Sequence, residues 1–294
     1  MSRWPALVLA TAFPLLAACA PASMGSPADA ASGPRVVAAF YPLQYAAEQV
    51  GGPGVSVANL TQPGIEPHDL ELSAQQVGEI ADADLVLYVK GFQPAVDEAI
   101  AQQAPDRAID VSAALPLLTL DGASDPHVWL DPAHMSAIGA EIAERLAEIS
   151  PDNAAGFAKN SAALTSAMSA LSSEYSTALA QCRTRTMVVS HDAFGYLAKA
   201  FGLTQVGISG LSPDAEPSPA RLREVAEVVA SQDVDTIYYE TLVDPKVAQT
   251  IADETGATAQ KLDPLEGLQP GATGDYASVM RENLLALAQG QGCS

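Results

Sequence analysis

From Asp152 to Ala180 the chain has no proline and one glycine, Gly156, and Leu164, Met168, Leu171 and Tyr175 recur at intervals of three and four. That spacing predicts one long helix, opened by Pro151 and Asp152. At about 1.5 Å per residue it would cross a small domain from end to end. The 294 residues suffice for two modest domains, and 48% of them are hydrophobic, so real cores can be buried. The long helix therefore reads as a rigid connector between two lobes.

Short apolar runs alternate with helical patterns on both sides of it. Before it, strands are predicted at 35–40, 55–60, 84–89 and near Ala108, with helices at 41–50, 73–83, 94–103 and 132–149. After it, strands are predicted at 186–190, 205–209, 235–240 and 257–262, with helices at 193–201, 218–231, 245–256 and 276–289. Such alternation implies βαβ units and parallel sheets. The expected fold class is α/β: two lobes, each a mainly parallel sheet flanked by helices, joined by one long connector helix. The boundaries read as a signal segment 1–18, a tether 19–34, a first lobe 35–150, the connector 151–181 and a second lobe 182–294.

Arg3 followed by the apolar run Ala6–Ala18 reads as an export signal, too short to span a bilayer as a mature helix. It ends in Leu16-Ala17-Ala18-Cys19, which looks like a bacterial lipobox and would leave Cys19 as a lipidated N-terminus at the outer face of the cell membrane. Residues 20–34, rich in Ala, Ser, Pro and Gly, then form a flexible tether. Of three cysteines, Cys182 and Cys293 remain. In an exported chain an even remainder favours a disulfide over two free thiols or a zinc thiolate site. Acidic residues outnumber basic ones 35 to 14, which argues against a nucleic-acid partner.

The chain has four histidines. His127 stands between two Asp-Pro pairs in Asp125-Pro126-His127-Val128-Trp129-Leu130-Asp131-Pro132, where the prolines stiffen a non-helical stretch. His68, in Glu66-Pro67-His68-Asp69, follows a predicted strand; His191, in Ser190-His191-Asp192, ends another. His134 lies inside a predicted helix and is set aside. Ligands in open α/β sheets collect beyond the carboxyl ends of strands, so two facing sheets would gather the three histidines in one cleft. Neutral imidazoles suit zinc and other transition metals, and a carboxylate completes a tetrahedron. Asp263, ending the last strand before Pro264, is the expected fourth ligand; Glu240 or water is the alternative. Trp129 reads as packing, and the acids beside the histidines as groups that orient imidazoles or, for Asp192, cap a helix.

These motifs, with Ser190-His-Asp-Ala-Phe-Gly-Tyr196, Ala215-Glu-Pro-Ser218 and Glu240-Thr-Leu-Val-Asp-Pro-Lys246, give the chain a resemblance. From about residue 35 onward it resembles the cluster A-I, or ZnuA/TroA-like, zinc and manganese substrate-binding lipoproteins of bacterial ABC importers. The resemblance implies two α/β lobes on one long helix, with His68, His127 and His191 as ligands and Asp263 at the carboxylate position. It implies an extracytoplasmic, monomeric binding protein, not an enzyme, that passes its ion to a permease. His191 stands where manganese-type relatives usually carry a carboxylate. A third nitrogen favours Zn2+, with Mn2+ the alternative. Zinc members often carry a His-rich loop before the second histidine; here that stretch is only 118–124, without histidine. A zinc hydrolase on the same three histidines and an adhesin are the competing functions.

Overall fold

The computed structural model describes residues 33–294, together with Met1 and Trp4. The rest of the signal segment, Cys19 and the tether up to Ser32 lie outside the described residues. Among those described, no helix is long and apolar enough to cross a membrane.

The first half runs β1 (Arg35–Ala38), α1 (Tyr41–Gly51), β2 (Ser56–Asn59), α2 (Ala74–Asp82), β3 (Leu85–Tyr88), α3 (Pro94–Gln103) and β4 (Ala108–Asp110). Its four strands are all parallel, in the order β2-β1-β3-β4. The chain moves outward from β1 to β2, then returns to the other side of β1 for β3. That reversal opens a crevice between β1 and β3 at their carboxyl ends. Local sequence sets the helix starts. Ser73 and Gln76 form a capping box on α2, and proline opens α3 at its first position.

A hairpin follows, β5 (Thr119–Leu120) and β6 (Ala123–Ser124), turning through Asp121 and Gly122 at φ of 51° and 85°. Then come α4 (Pro132–Ile149), capped by the Asp131 carboxylate on the Ala133 N–H, and the connector α5 (Ala154–Ala178). The expected single helix from Pro151 begins instead with a short 3-10 turn over Pro151–Asn153. The buried stripe of α5 is Phe157, Ser161, Leu164, Met168, Leu171 and Tyr175. It lies so close to α4 that a Cβ on Gly139 would stand 2.6 Å from Leu164.

The second half repeats the plan with β7 (Thr186–Val189), α6 (Gly195–Phe201), β8 (Thr204–Gly207), α7 (Pro219–Ser231), β9 (Thr236–Tyr239), α8 (Lys246–Thr255), β10 (Thr258–Lys261) and α9 (Tyr276–Gly290). Its sheet is also parallel, ordered β10-β9-β7-β8, with the reversal between β7 and β9. Cys182, just beyond α5, is bonded to Cys293 beyond α9, so the exported-chain expectation of a disulfide holds.

The connector touches both halves. Asn160 on α5 donates to the Val50 carbonyl near the end of α1, and the Tyr175 hydroxyl donates to the Met280 carbonyl of α9 at 2.6 Å. One buried apolar cluster contains Val36, Leu87 and Trp129 together with Leu265, Tyr276 and Leu287. A second, smaller one lies between the outer face of the second sheet and α7 and α8.

Candidate metal centre

Each histidine is delivered by backbone that ends or follows an element. His68 sits in the long loop between β2 and α2, its ring edge-on to Phe92 at 4.6 Å. His127 begins a 3-10 turn, Val128–Leu130, and its backbone N–H donates to Asp125 Oδ1 at 2.9 Å. His191 lies two residues past β7, at the reversal point of the second sheet, and Glu240 lies one residue past β9 beside it. The crevice rule thus places His191 and Glu240 in contact.

His127 Nδ1 lies 2.8 Å from Asp125 Oδ1, and His191 Nδ1 lies 2.7 Å from Glu240 Oε1. An ionised carboxylate only accepts, so both Nδ1 atoms carry hydrogens that they donate, and in the neutral imidazoles both Nε2 atoms keep their lone pairs. Those two Nε2 atoms face each other at 3.3 Å. Glu266 Oε1 stands 3.2 Å from each of them and 3.4 Å from His68 Nε2. Glu266 Oε1 and His68 Nε2 are buried without a hydrogen-bond partner. With the imidazoles neutral, the Nε2 lone pairs of His127 and His191 thus converge with Glu266 Oε1 and His68 Nε2, an arrangement that suits a cation.

The spacing says which kind. A tetrahedral zinc with bonds of about 2.0–2.1 Å sets its ligand atoms about 3.3–3.4 Å apart. Four of the six edges are 3.2, 3.2, 3.3 and 3.4 Å, and all six are within 4.8 Å. The donor set, three nitrogens and one oxygen, suits zinc.

The electrostatics agree. Burial alone would hold His127 and His191 neutral, but their carboxylate partners prevail. Asp125 and Glu266 raise the His127 pKa, and Glu240 and Glu266 raise that of His191 well above its ordinary value. Burial pushes Glu266 up, yet the imidazoles, His191 foremost, hold it well below the usual carboxylate range. The site is built for positive charge at its centre, as protons or as metal.

The sequence reading placed the three histidines together, and so does the structure. Asp263 is placed differently. Its Oδ1 accepts from the Leu265 N–H at 2.8 Å and its Oδ2 from the Thr241 hydroxyl at 3.2 Å, and Glu266 is the carboxylate that meets the imidazoles. Glu240, the alternative ligand, holds the far side of His191. His134 lies apart, against Tyr196. Asp192 neither caps α6 nor meets an imidazole; it accepts from the Gln205 amide at 2.9 Å. Nearby, Glu66, Asp69 and Asp214 bring three further carboxylates together. Burial, then Glu266, raises Glu66 to a pKa of about 7.

A profile of the family described as ZnuA, zinc-uptake complex component A, periplasmic, matches residues 36–290. The chain belongs to the ZnuA family. The High-affinity zinc uptake system protein ZnuA of Bacillus subtilis is 33% identical over 312 residues, covering 97% of each chain. The Zinc-binding lipoprotein AdcA of Streptococcus pneumoniae is 36% identical over 276 residues, covering 87% of this chain and 55% of AdcA. The chain thus spans about half the length of the AdcA relatives. The crystal structure of the Zn(II)-bound ZnuA-like domain of Streptococcus pneumoniae AdcA superposes with a TM-score of 0.77 at 37% identity, over 88% of this chain and 99% of that one. The two-lobed α/β architecture expected from the sequence is therefore the ZnuA-family fold.

Sequence reasoning missed Glu266 as a member of this cluster. The only local signal was a further acid three residues beyond Asp263, in Asp263-Pro264-Leu265-Glu266. The Asp-Gly hairpin was also passed over, although that dipeptide is a strong two-residue turn signal.

Proposed function

We propose that this chain is an extracytoplasmic binding protein that captures Zn2+ and delivers it to an ABC permease. The cargo ion is held by Nε2 of His68, His127 and His191 and by Oε1 of Glu266. The observation that carries this reading is the convergence of three imidazole Nε2 atoms and one carboxylate oxygen, four of whose six separations match a zinc tetrahedron. Two of its imidazoles are fixed in the ligating tautomer by Asp125 and Glu240. Membership of a zinc-uptake family supports the same cargo and the same route. A hydrolytic zinc site keeps one position for water; the Glu266 carboxylate fills that position, which favours binding over catalysis. Manganese prefers a shell richer in oxygen.

The protein works at the outer face of the cell membrane, held by lipid on Cys19. The lipobox-like run before that residue supports the anchor. Cys19→Ala releases the protein from the membrane fraction with zinc binding intact; unchanged retention would reject the anchor.

Elemental analysis of protein purified without added metal, followed by competition titration, tests the cargo. One zinc per chain, lost in His127→Ala, is the expected result. Tighter binding of manganese than of zinc would overturn it.

A further inference from the structure

The carboxylate that meets the imidazoles is not on a strand or a helix. It ends a turn, Asp263-Pro264-Leu265-Glu266, in which Leu265 is fully buried and has φ of 57°. Leucine rarely holds that left-handed conformation, because its Cβ crowds the following carbonyl. Such a residue persists only where its surroundings over-determine it.

Here they do. The buried Asn283 side chain on α9 accepts from the Asp263 N–H at 2.9 Å and donates to the Asp263 carbonyl at 2.7 Å. The Asp263 carboxylate takes the Leu265 N–H and is steadied by Thr241. The Trp129 indole N–H donates to the Pro264 carbonyl at 2.8 Å. Trp129 follows ligand His127 by two residues, and its own carbonyl accepts from Tyr276 on α9. Four backbone groups leading into Glu266 are therefore held by three side chains, Asn283, Trp129 and Asp263, and α9 supports both carboxylate and His127 segments.

We propose that Asn283 is a positioning residue for the metal. By clamping the Asp263 peptide groups it keeps Leu265 left-handed, presents a single oxygen of Glu266 to the three imidazoles, and so restricts the site to four-coordinate ions. This rests on the zinc reading above. Without the clamp the turn relaxes, and Glu266 can offer both oxygens to an ion that takes more ligands. Asp263 then belongs to the same device, holding the turn from inside.

A double-mutant cycle tests the inference, with Asn283→Ala, Glu266→Gln and both together, read as Zn2+ and Mn2+ affinities and as the visible spectrum of the Co2+ form. Asn283→Ala alone should weaken zinc about 10–100-fold, as loss of a group supporting a ligand does. It should narrow the zinc-to-manganese ratio and weaken the intense bands of four-coordinate Co2+. In the Glu266→Gln background the same change should cost less than about twofold, since the groups act as one. Thr241→Val, at a half-buried position, provides a variant that keeps the clamp itself. It should move selectivity in the same direction by less than about tenfold. Additive losses in the cycle, or a Co2+ spectrum and metal ratio unchanged in both Asn283→Ala and Thr241→Val, would overturn the positioning role. If Asn283→Ala does not fold, Thr241→Val decides: an unshifted ratio overturns the role. If Glu266→Gln and His127→Ala leave zinc affinity unchanged, the zinc site itself is refuted instead.

Discussion

The two sheets share one plan, four parallel strands with a reversal in the middle, yet their crevices are furnished in opposite ways. Between β7 and β9 the second sheet sets His191 against Glu240, with Glu266 nearby. At the corresponding place beyond β1 and β3 the first sheet sets Phe40 against Phe92 at 4.7 Å, with Trp129 at 4.7 Å from Phe40. The rings of His68 and His127 pack against that aromatic wall, on Phe92 and Trp129. The second crevice supplies charge and the first excludes water from it, which strengthens every interaction inside. A fold repeated in one chain need not repeat its chemistry.

The largest expected effect is loss of a ligand from the charged crevice. If four ligands share a zinc-binding free energy of about 10–16 kcal/mol, one is worth about 3 kcal/mol, or roughly a hundredfold. Competition titration should show that loss for His191→Ala and none beyond about twofold for His134→Ala. Equal losses would remove the distinction between the two histidines.

Next comes the comparison itself. Glu240→Gln keeps an acceptor on His191 Nδ1 but removes its charge, and should weaken zinc by about tenfold. Phe92→Leu keeps an apolar wall and should cost less than that. Were the phenylalanine change the costlier of the two, the division of labour between crevices would be reversed.

Acidity sharpens the contrast, because the raised imidazoles and the lowered Glu266 all lie in the shared centre. In metal-free protein the raised His127 and His191 values contribute stability that is fully present below about pH 6.5 and lost as pH climbs through the folded values. The lowered Glu266 value contributes stability above about pH 4.3 that disappears as pH falls through its folded value. Zinc must displace the imidazole protons. The rise in melting temperature on adding zinc should therefore be small near pH 5.5 and grow toward pH 8. A gain that is flat, or that shrinks with rising pH, would mean these imidazoles are not the ligands.

The smallest effect on zinc should come from the disulfide, which lies at the ends of α5 and α9. Replacing Cys182 and Cys293 by serine opens a link across 111 residues. The chain-entropy limit is about 4–5 kcal/mol of stability. Denaturant titration should register a loss up to that size while zinc affinity stays put.

Much of this was legible because local chemistry and global fold agree. Pro132 after Asp131, Ser73 three residues before Gln76, and Ser218 before Pro219 mark helix starts where the structure has them. The histidines could be read because each is tied to a proline or a strand end. Glu266 could not. Its direction depends on Leu265 taking a left-handed turn, and that turn depends on Asn283, which lies on another element. Beyond the acid itself, three residues after Asp263, nothing nearby in the sequence announces it. The pairing of His191 with Glu240, 49 residues apart, is likewise a product of sheet order rather than of local pattern, so Glu240 read as a candidate ligand instead of as the group that turns the imidazole.

The shared interior has a consequence for how the protein comes apart. Phe40 and Trp129, from the first half, belong to the same buried cluster as Leu265, Tyr276 and Met280 from the second, and Tyr45 stacks on Tyr276 at 5.3 Å. Neither half can melt without exposing the other's aromatic surface. Heat should therefore unfold residues 33–294 in one cooperative transition. A protease that nicks the chain between the halves should leave two pieces that remain associated, since each carries part of the larger buried cluster.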